Sequence, residues 1–390
     1  MYRILQYLKD AFSKCDKLLL GVCVAANLFG IVMIASATSG SSIGPTRYLI
    51  IQSLAAAAGI VAFLIFSSID ASFFAEHRRK LVLINLALIL MLVPFGTDNG
   101  TGNRSWLNFP FLPFDIQPAE ICKITFVLIL ASVMASKQNN LSSLPSVLQL
   151  SAHFLLLFGS NVVVSGDMGV SLIFAFIFIF MTISGGVSWI WYASVLGLGV
   201  LIGPLAWNFV LDEYQRNRVL VLFDPSLDPL GTGARYHTVR ALRSLTGGGM
   251  TGQGLFQGNR TQRNLLFAQH TDFIFSAIGE ELGFLGCALV LLMLFVIVAR
   301  CIWVGTRTKD YFRKLICFGV AGALTFQIIV NIGMCLDVMP VIGLTLPFIS
   351  YGGSSLITIY ALVGLVSGVF ARPVPPVHER YIRMPLKHYK

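Results

Sequence analysis

The sequence predicts an all-α, polytopic membrane protein with about ten transmembrane helices and one long external loop. Three observations predict it. Of 390 residues, 56% are hydrophobic and only 12% charged, about half the roughly 25% charged share of a soluble domain. The apolar residues fall in runs close to the roughly 20 residues a helix needs to cross a bilayer. The basic residues gather at the ends of alternate runs, the pattern that sets membrane orientation. A net charge of +10 distributed this way marks topology and argues against a nucleic-acid surface.

The candidate spans are 18–38, 47–67, 80–96, 119–136, 145–163, 168–184, 188–211, 272–299, 313–336 and 342–371. The first follows a basic start and ends in Ala35-Ser36-Ala37, which imitates a cleavable signal peptide. Its apolar run is longer than a signal core, so it reads as a retained helix. The third is short. Only Ser165-Gly166-Asp167 separates the fifth from the sixth, and prolines and paired glycines interrupt the last. With both termini cytoplasmic, the inner segments carry 18 of the 28 basic residues. The whole chain, 1–390, reads as one membrane domain, with the polar, glycine-rich loop 212–271 outside the membrane. Loops this long are functional or disordered; its Asp-Pro and Gly-Gly turns predict an ordered, folded-back one.

The seven cysteines form no CxxC pair and the six histidines no ligand spacing. Neither a disulfide framework nor a zinc site is expected. No cofactor is required, and a divalent cation enters only as an aid to neutralising an anionic substrate.

Five constellations carry the polar chemistry. In the first, Asn103-Arg104-Ser105-Trp106 precedes Gln117-Pro118-Ala119-Glu120 and Lys123. Pro118 suits a first helical turn, and Glu120 there meets the positive helix end. Lys123 follows on the same face. The plain reading is a helix start and an ion pair, with Lys123 snorkelling to the surface; the sharper one is a cation held for an anionic substrate. In the second, Gly166-Asp167-Met168-Gly169, Asp167 caps a helix and is free to meet substrate as well. The third, Tyr214-Gln215-Arg216-Asn217-Arg218 with Asp224-Pro225 and Asp228-Pro229, offers arginines suited to phosphate, or a solvated loop.

The fourth runs Gln269-His270-Thr271-Asp272-Phe273 to Gly279-Glu280-Glu281. A regular helix puts Asp272, Ser276 and Glu280 on one stripe, with Glu280 about 12 Å deeper. Carboxylates at such depth are functional candidates. The fifth, Pro340 to Gly343 and Pro347-Phe348-Ile349-Ser350-Tyr351-Gly352-Gly353, reads as a broken or re-entrant helix, tolerated only where protein or a cavity lines it, or as small-residue helix packing.

In this order and spacing, from the first helix to about Arg372, the five constellations resemble the shape, elongation, division and sporulation family, the RodA, FtsW and SpoVE group. The resemblance implies a ten-helix enzyme of the bacterial cytoplasmic membrane, with both termini cytoplasmic. Such an enzyme polymerises lipid II into glycan strands at the outer face and works with a class B penicillin-binding protein. It implies Asp272 as the catalytic residue, read here as general base. Arg104, Lys123 and Arg218 are assigned to the diphosphate. Glu120, Asp167, Gln215, Glu280 and Ser350 are assigned to cation or sugar contacts. The competing classes are a flippase of the lipid-linked precursor and a non-catalytic scaffold; a flippase site belongs near the midplane, whereas Asp272 falls at the outer surface. The sequence departs from the family pattern at Phe267-Ala268, where Pro-Glu is usual. It departs again at Gly233-Ala234-Arg235, in place of Gly-Tyr-Gln, and at Asp337, where glycine is usual.

Overall fold

The computed structural model describes residues 10–41, 44–98, 103–110, 112–209, 213–229, 231–233 and 235–372. The basic tail expected beyond Arg372 lies outside the described residues. Among them, nine helices are long and apolar enough to cross a membrane: Lys17–Thr38, Pro45–Ser68, Pro118–Ser136, Leu144–Ser165, Met168–Gly185, Trp189–Phe209, Ile274–Arg307, Tyr311–Cys335 and Gly353–Ala371. The chain is a multi-pass membrane protein.

The helix starts follow local chemistry. Proline occupies the first turn at Pro45, Pro118 and Pro145, where its missing N–H costs nothing. Asp16, Asp167 and Asp310 cap their helices by accepting from Leu19, Val170 and Arg313 N–H groups at 3.2, 3.1 and 3.2 Å. The buried Asp16 also pairs with Arg300 Nε at 2.8 Å, which ties the first helix to the end of Ile274–Arg307.

Three expected spans change. The third is Arg78–Leu90 followed by a single turn, Leu92–Phe95, with Met91 between them. Met91 keeps right-handed helical torsions, so the chain stays helical to Phe95 although Pro94 has no N–H for the Leu90 carbonyl. The eighth extends to Arg307 but breaks at Gly283, which holds φ 65° and ψ −161°, a conformation that suits glycine alone. The N–H groups of Phe284 and Leu285 at the break donate to the Gly249 and Met250 carbonyls, at 2.9 and 3.2 Å. Part of the loop 212–271 is thereby built into the helix.

The last helix begins at Gly353, and residues 340–352 ahead of it are not helical. Buried amides satisfy this irregular backbone. Asn27 Nδ2 donates to the Phe348 carbonyl at 3.1 Å and Asn331 Nδ2 to that of Leu344 at 2.7 Å. Gln52 donates to the Ser350 carbonyl and accepts from Gly352 N–H, both at 3.2 Å. Backbone outside a helix persists at membrane depth only with such partners.

The core is formed by Pro118–Ser136, Tyr311–Cys335 and Gly353–Ala371, which are mostly buried, whereas Trp189–Phe209 has no buried residue among those described. Among the described residues, the loop 212–271 contains the α-helices Glu213–Phe223, Tyr236–Gly247 and Asn259–Gln262. A two-residue hairpin pairs Gly96–Thr97 with Trp106–Leu107.

Candidate active site

Asp272 sits in a turn just before the Ile274–Arg307 helix, half-buried, with its backbone held from several sides. Asn331 Nδ2 donates to its carbonyl at 2.8 Å, and Cys335 Sγ lies 3.9 Å from the same oxygen. The preceding carbonyls are also taken. Ser350 Oγ donates to that of Thr271 at 2.6 Å, and Tyr351 N–H to that of His270 at 2.9 Å. A Cβ placed on Gly343 would stand 3.8 Å from Asp272 Oδ2. The fourth and fifth sequence constellations therefore meet at this turn.

The first and second meet at Asp167. Its Oδ1 caps the Met168–Gly185 helix, and its Oδ2 accepts from Gln117 Nε2 at 2.8 Å. The cap and the side-chain contact coexist because each uses a different oxygen. Ser105 and Ser165 hydroxyls pair at 2.8 Å, which holds Arg104, exposed beside them, at the rim. One turn into the next helix, Lys123 Nζ lies 2.6 Å from Glu120 Oε2. Lys123 is fully buried, so it does not snorkel as the plain reading has it. The contact lacks hydrogen-bond geometry and is a charge pair inside the core.

The two halves communicate through charge. Burial raises the Asp272 carboxyl to about 6, and the nearby Asp167 charge adds to the rise. Asp167 is raised as well, by burial first and against the pull of its Val170 and Gln117 hydrogen bonds.

Glu280 is turned elsewhere. Its carboxylate accepts from Arg260 N–H at 2.7 Å, Thr261 N–H at 3.1 Å and Thr261 Oγ1 at 2.7 Å. Glu281 does the same with Ser36 Oγ, Gln262 Nε2 and Phe256 N–H, at 2.6, 2.8 and 3.1 Å. The expected stripe with Asp272 does not form a shared site, because the loop occupies both carboxylates. Ser350 uses its hydroxyl on backbone, accepting from Leu346 N–H at 2.8 Å besides its bond to Thr271. Gln215 and Arg218 fall in the Glu213–Phe223 helix, and their side chains lie outside the described residues.

The chain matches the cell cycle protein family of FtsW, RodA and SpoVE over residues 16–372. It belongs to that family. The peptidoglycan glycosyltransferase MrdB of Escherichia coli K12 is 31% identical over 356 residues, covering 91% of this chain and 93% of MrdB. A structure on the coordination of polymerization and crosslinking by a peptidoglycan synthase complex superposes with a TM-score of 0.78 at 28% identity, covering 91% of this chain and 97% of the other. A mutant of the rod shape determining protein RodA of Thermus thermophilus gives 0.68 at 26%, covering 91% and 97%.

Within this FtsW, RodA and SpoVE fold, reading the sequence missed Asn331, Gln52 and Asn27. Each is a buried polar residue within an apolar run. Polar side chains at membrane depth were the available signal, but only their partners distinguish a backbone anchor from a packing polarity.

Proposed function

We propose that this chain is a peptidoglycan glycosyltransferase, with Asp272 as the general base that joins lipid-linked disaccharides outside the membrane. The observation that carries the reading is the Asp272 turn, a carboxylate with its backbone fixed on several sides and its pKa raised to about 6 by burial. A base works best when its pKa approaches the working pH. The acceptor hydroxyl oxygen bonds to the donor anomeric carbon, and its proton passes to Asp272. The bond from that carbon to the phosphate oxygen breaks, and polyprenyl diphosphate leaves with the electron pair.

Charge growing on the diphosphate calls for fixed cations. Arg104 takes this part by exposure and charge, and Arg218 by charge. Lys123 acts from within the core, its charge balanced by Glu120. Asp167 holds Gln117 and sets the field at Asp272. Glu280 and Ser350 serve the shape of the site through backbone contacts. A divalent cation would come with the diphosphate: among the described residues, no three His, Cys, Asp or Glu side chains are grouped to hold one. Polymerisation measured after chelation tests this.

Lipid II is the proposed substrate and a class B penicillin-binding protein the proposed partner. The basic residues at the inner helix ends support cytoplasmic termini. The test is glycan polymerisation from labelled lipid II by the purified chain, beside Asp272→Ala and Asp272→Asn, with and without that partner. Polymer from the unaltered chain alone is expected. Full polymerisation by either variant would remove Asp272 from the mechanism.

A further inference from the structure

Asp337 follows the Tyr311–Cys335 helix and holds φ +59°. This left-handed conformation is costly for most side chains and free for glycine, the residue the family pattern has here. The aspartate is buried and fully engaged. Its Oδ2 accepts from Arg235 Nε at 3.0 Å and pairs with Arg235 Nη2, and its Oδ1 accepts from Thr238 Oγ1. Arg235 is a second departure from the family pattern, and the two departures meet each other.

Both ends of the pair reach the Asp272 turn. Cys335, two residues before Asp337, touches the Asp272 carbonyl. On the other side, Arg235 begins the Tyr236–Gly247 helix. There the His237 ring stacks on Phe273 at 6.4 Å between centroids. Arg235 is itself fixed from behind, because Asp228 accepts N–H groups of Thr232, Gly233 and Arg235 at 3.0, 3.0 and 3.1 Å. These bonds hold the Asp228 carboxyl below the usual carboxylate range, that from Arg235 foremost. A chain of contacts thus runs from Asp228 through Arg235 to Asp337, from the long loop to the end of the Tyr311–Cys335 helix.

We infer that Arg235 and Asp337 are positioning residues, a clamp that seats the external-loop helix beside Asp272 and sets how tightly the site holds its lipid-linked substrate. The inference rests on the glycosyltransferase reading for its substrate. Neither residue touches the reacting atoms, so the clamp acts on binding more than on turnover.

The experiment compares Arg235→Gln, Asp337→Gly, their double variant and Arg235→Lys in the full chain. Three readings are made: equilibrium binding of fluorescent lipid II, polymerisation at saturating lipid II, and tryptic cleavage after Arg240 and Arg243. Asp337→Gly matters most, because glycine relieves the backbone conformation while removing the carboxylate. Each single variant is expected to weaken binding about tenfold, as a small misplacement does, with saturated turnover within about twofold. Cleavage accelerates, the double variant is no worse than the weaker-binding single, and Arg235→Lys recovers most of the binding. Unchanged binding in the singles, with or without faster cleavage, overturns the clamp and leaves the glycosyltransferase reading standing. Multiplied effects in the double variant also overturn it. Binding that follows the expected pattern in a chain that makes no polymer keeps the clamp and ends the glycosyltransferase reading. Absence of lipid II binding ends both.

Discussion

Asn331 donates to the backbone carbonyl of Asp272 at 2.8 Å while its second N–H reaches Leu344 at 2.7 Å. One buried amide thus fixes the candidate base and the irregular segment beside it. Replacing Asn331 by Leu strands two buried carbonyls, at about 1–3 kcal/mol each. The thermal midpoint in detergent should fall accordingly. Polymerisation should fall by more than about tenfold, because Asp272 loses its register. A stable, fully active Asn331→Leu protein would show that the amide is dispensable.

The raised Asp272 carboxyl sets a pH dependence. A base must be unprotonated, so the rate should drop as pH falls through about 6. Asp167→Asn removes the charge that adds to the rise while keeping a capping side chain. The acid limb of the pH–rate profile should then move to lower pH. A limb that stays in place would remove Asp167 from the electrostatics of the site.

The same shift links to stability. The folded carboxyl titrates near 6 and the unfolded one near 3.8. Between those values the folded state binds more protons, so stability falls as pH rises through the window. At neutral pH, Asp272→Asn should be the more stable protein by roughly 2–4 kcal/mol. The difference should vanish below about pH 4. Thermal scans of both proteins across pH 4–8 check the sign.

Lys123 and Glu120 form a charge pair within the core. Lys123→Met alone leaves a buried carboxylate uncompensated and should destabilise by about 3–5 kcal/mol. The Glu120→Gln and Lys123→Met double variant should regain most of that loss. If Lys123 also supplies charge to the diphosphate, the double variant folds but polymerises poorly. A stable and active double variant would reduce the pair to structure.

Glu280 accepts three hydrogen bonds from residues 260–261. Glu280→Gln weakens charge-assisted bonds worth about 1.5–3 kcal/mol each, so trypsin should cut after Arg260 and Arg263 faster. Altered substrate affinity without altered cleavage would instead make Glu280 a direct substrate contact.

Much of this site was legible at helix ends. Pro118 marks a first turn, Asp167 a cap, and Glu120 with Lys123 a pair one turn apart, because capping and i,i+3 spacing are local rules. The stripe drawn from Asp272 to Glu280 was not kept. Asp272 sits in a turn ahead of the helix, which begins only at Ile274, and the loop claims the glutamates. The third span, short in the sequence, is helical in two pieces, Arg78–Leu90 and Leu92–Phe95, with Met91 between them.

By itself the sequence determined that the chain crosses a membrane many times and where most crossings begin. Run length, charge placement and caps follow from neighbours in the chain. Only the tertiary structure decided that Asn27, Gln52 and Asn331 hold residues 340–352, that Ser350 ties that segment to the Asp272 turn, and that Arg235 meets Asp337. These partners lie from 13 to 321 positions apart. In an apolar surrounding each buried donor and acceptor must find a partner, and packing, not spacing, selects which one it finds.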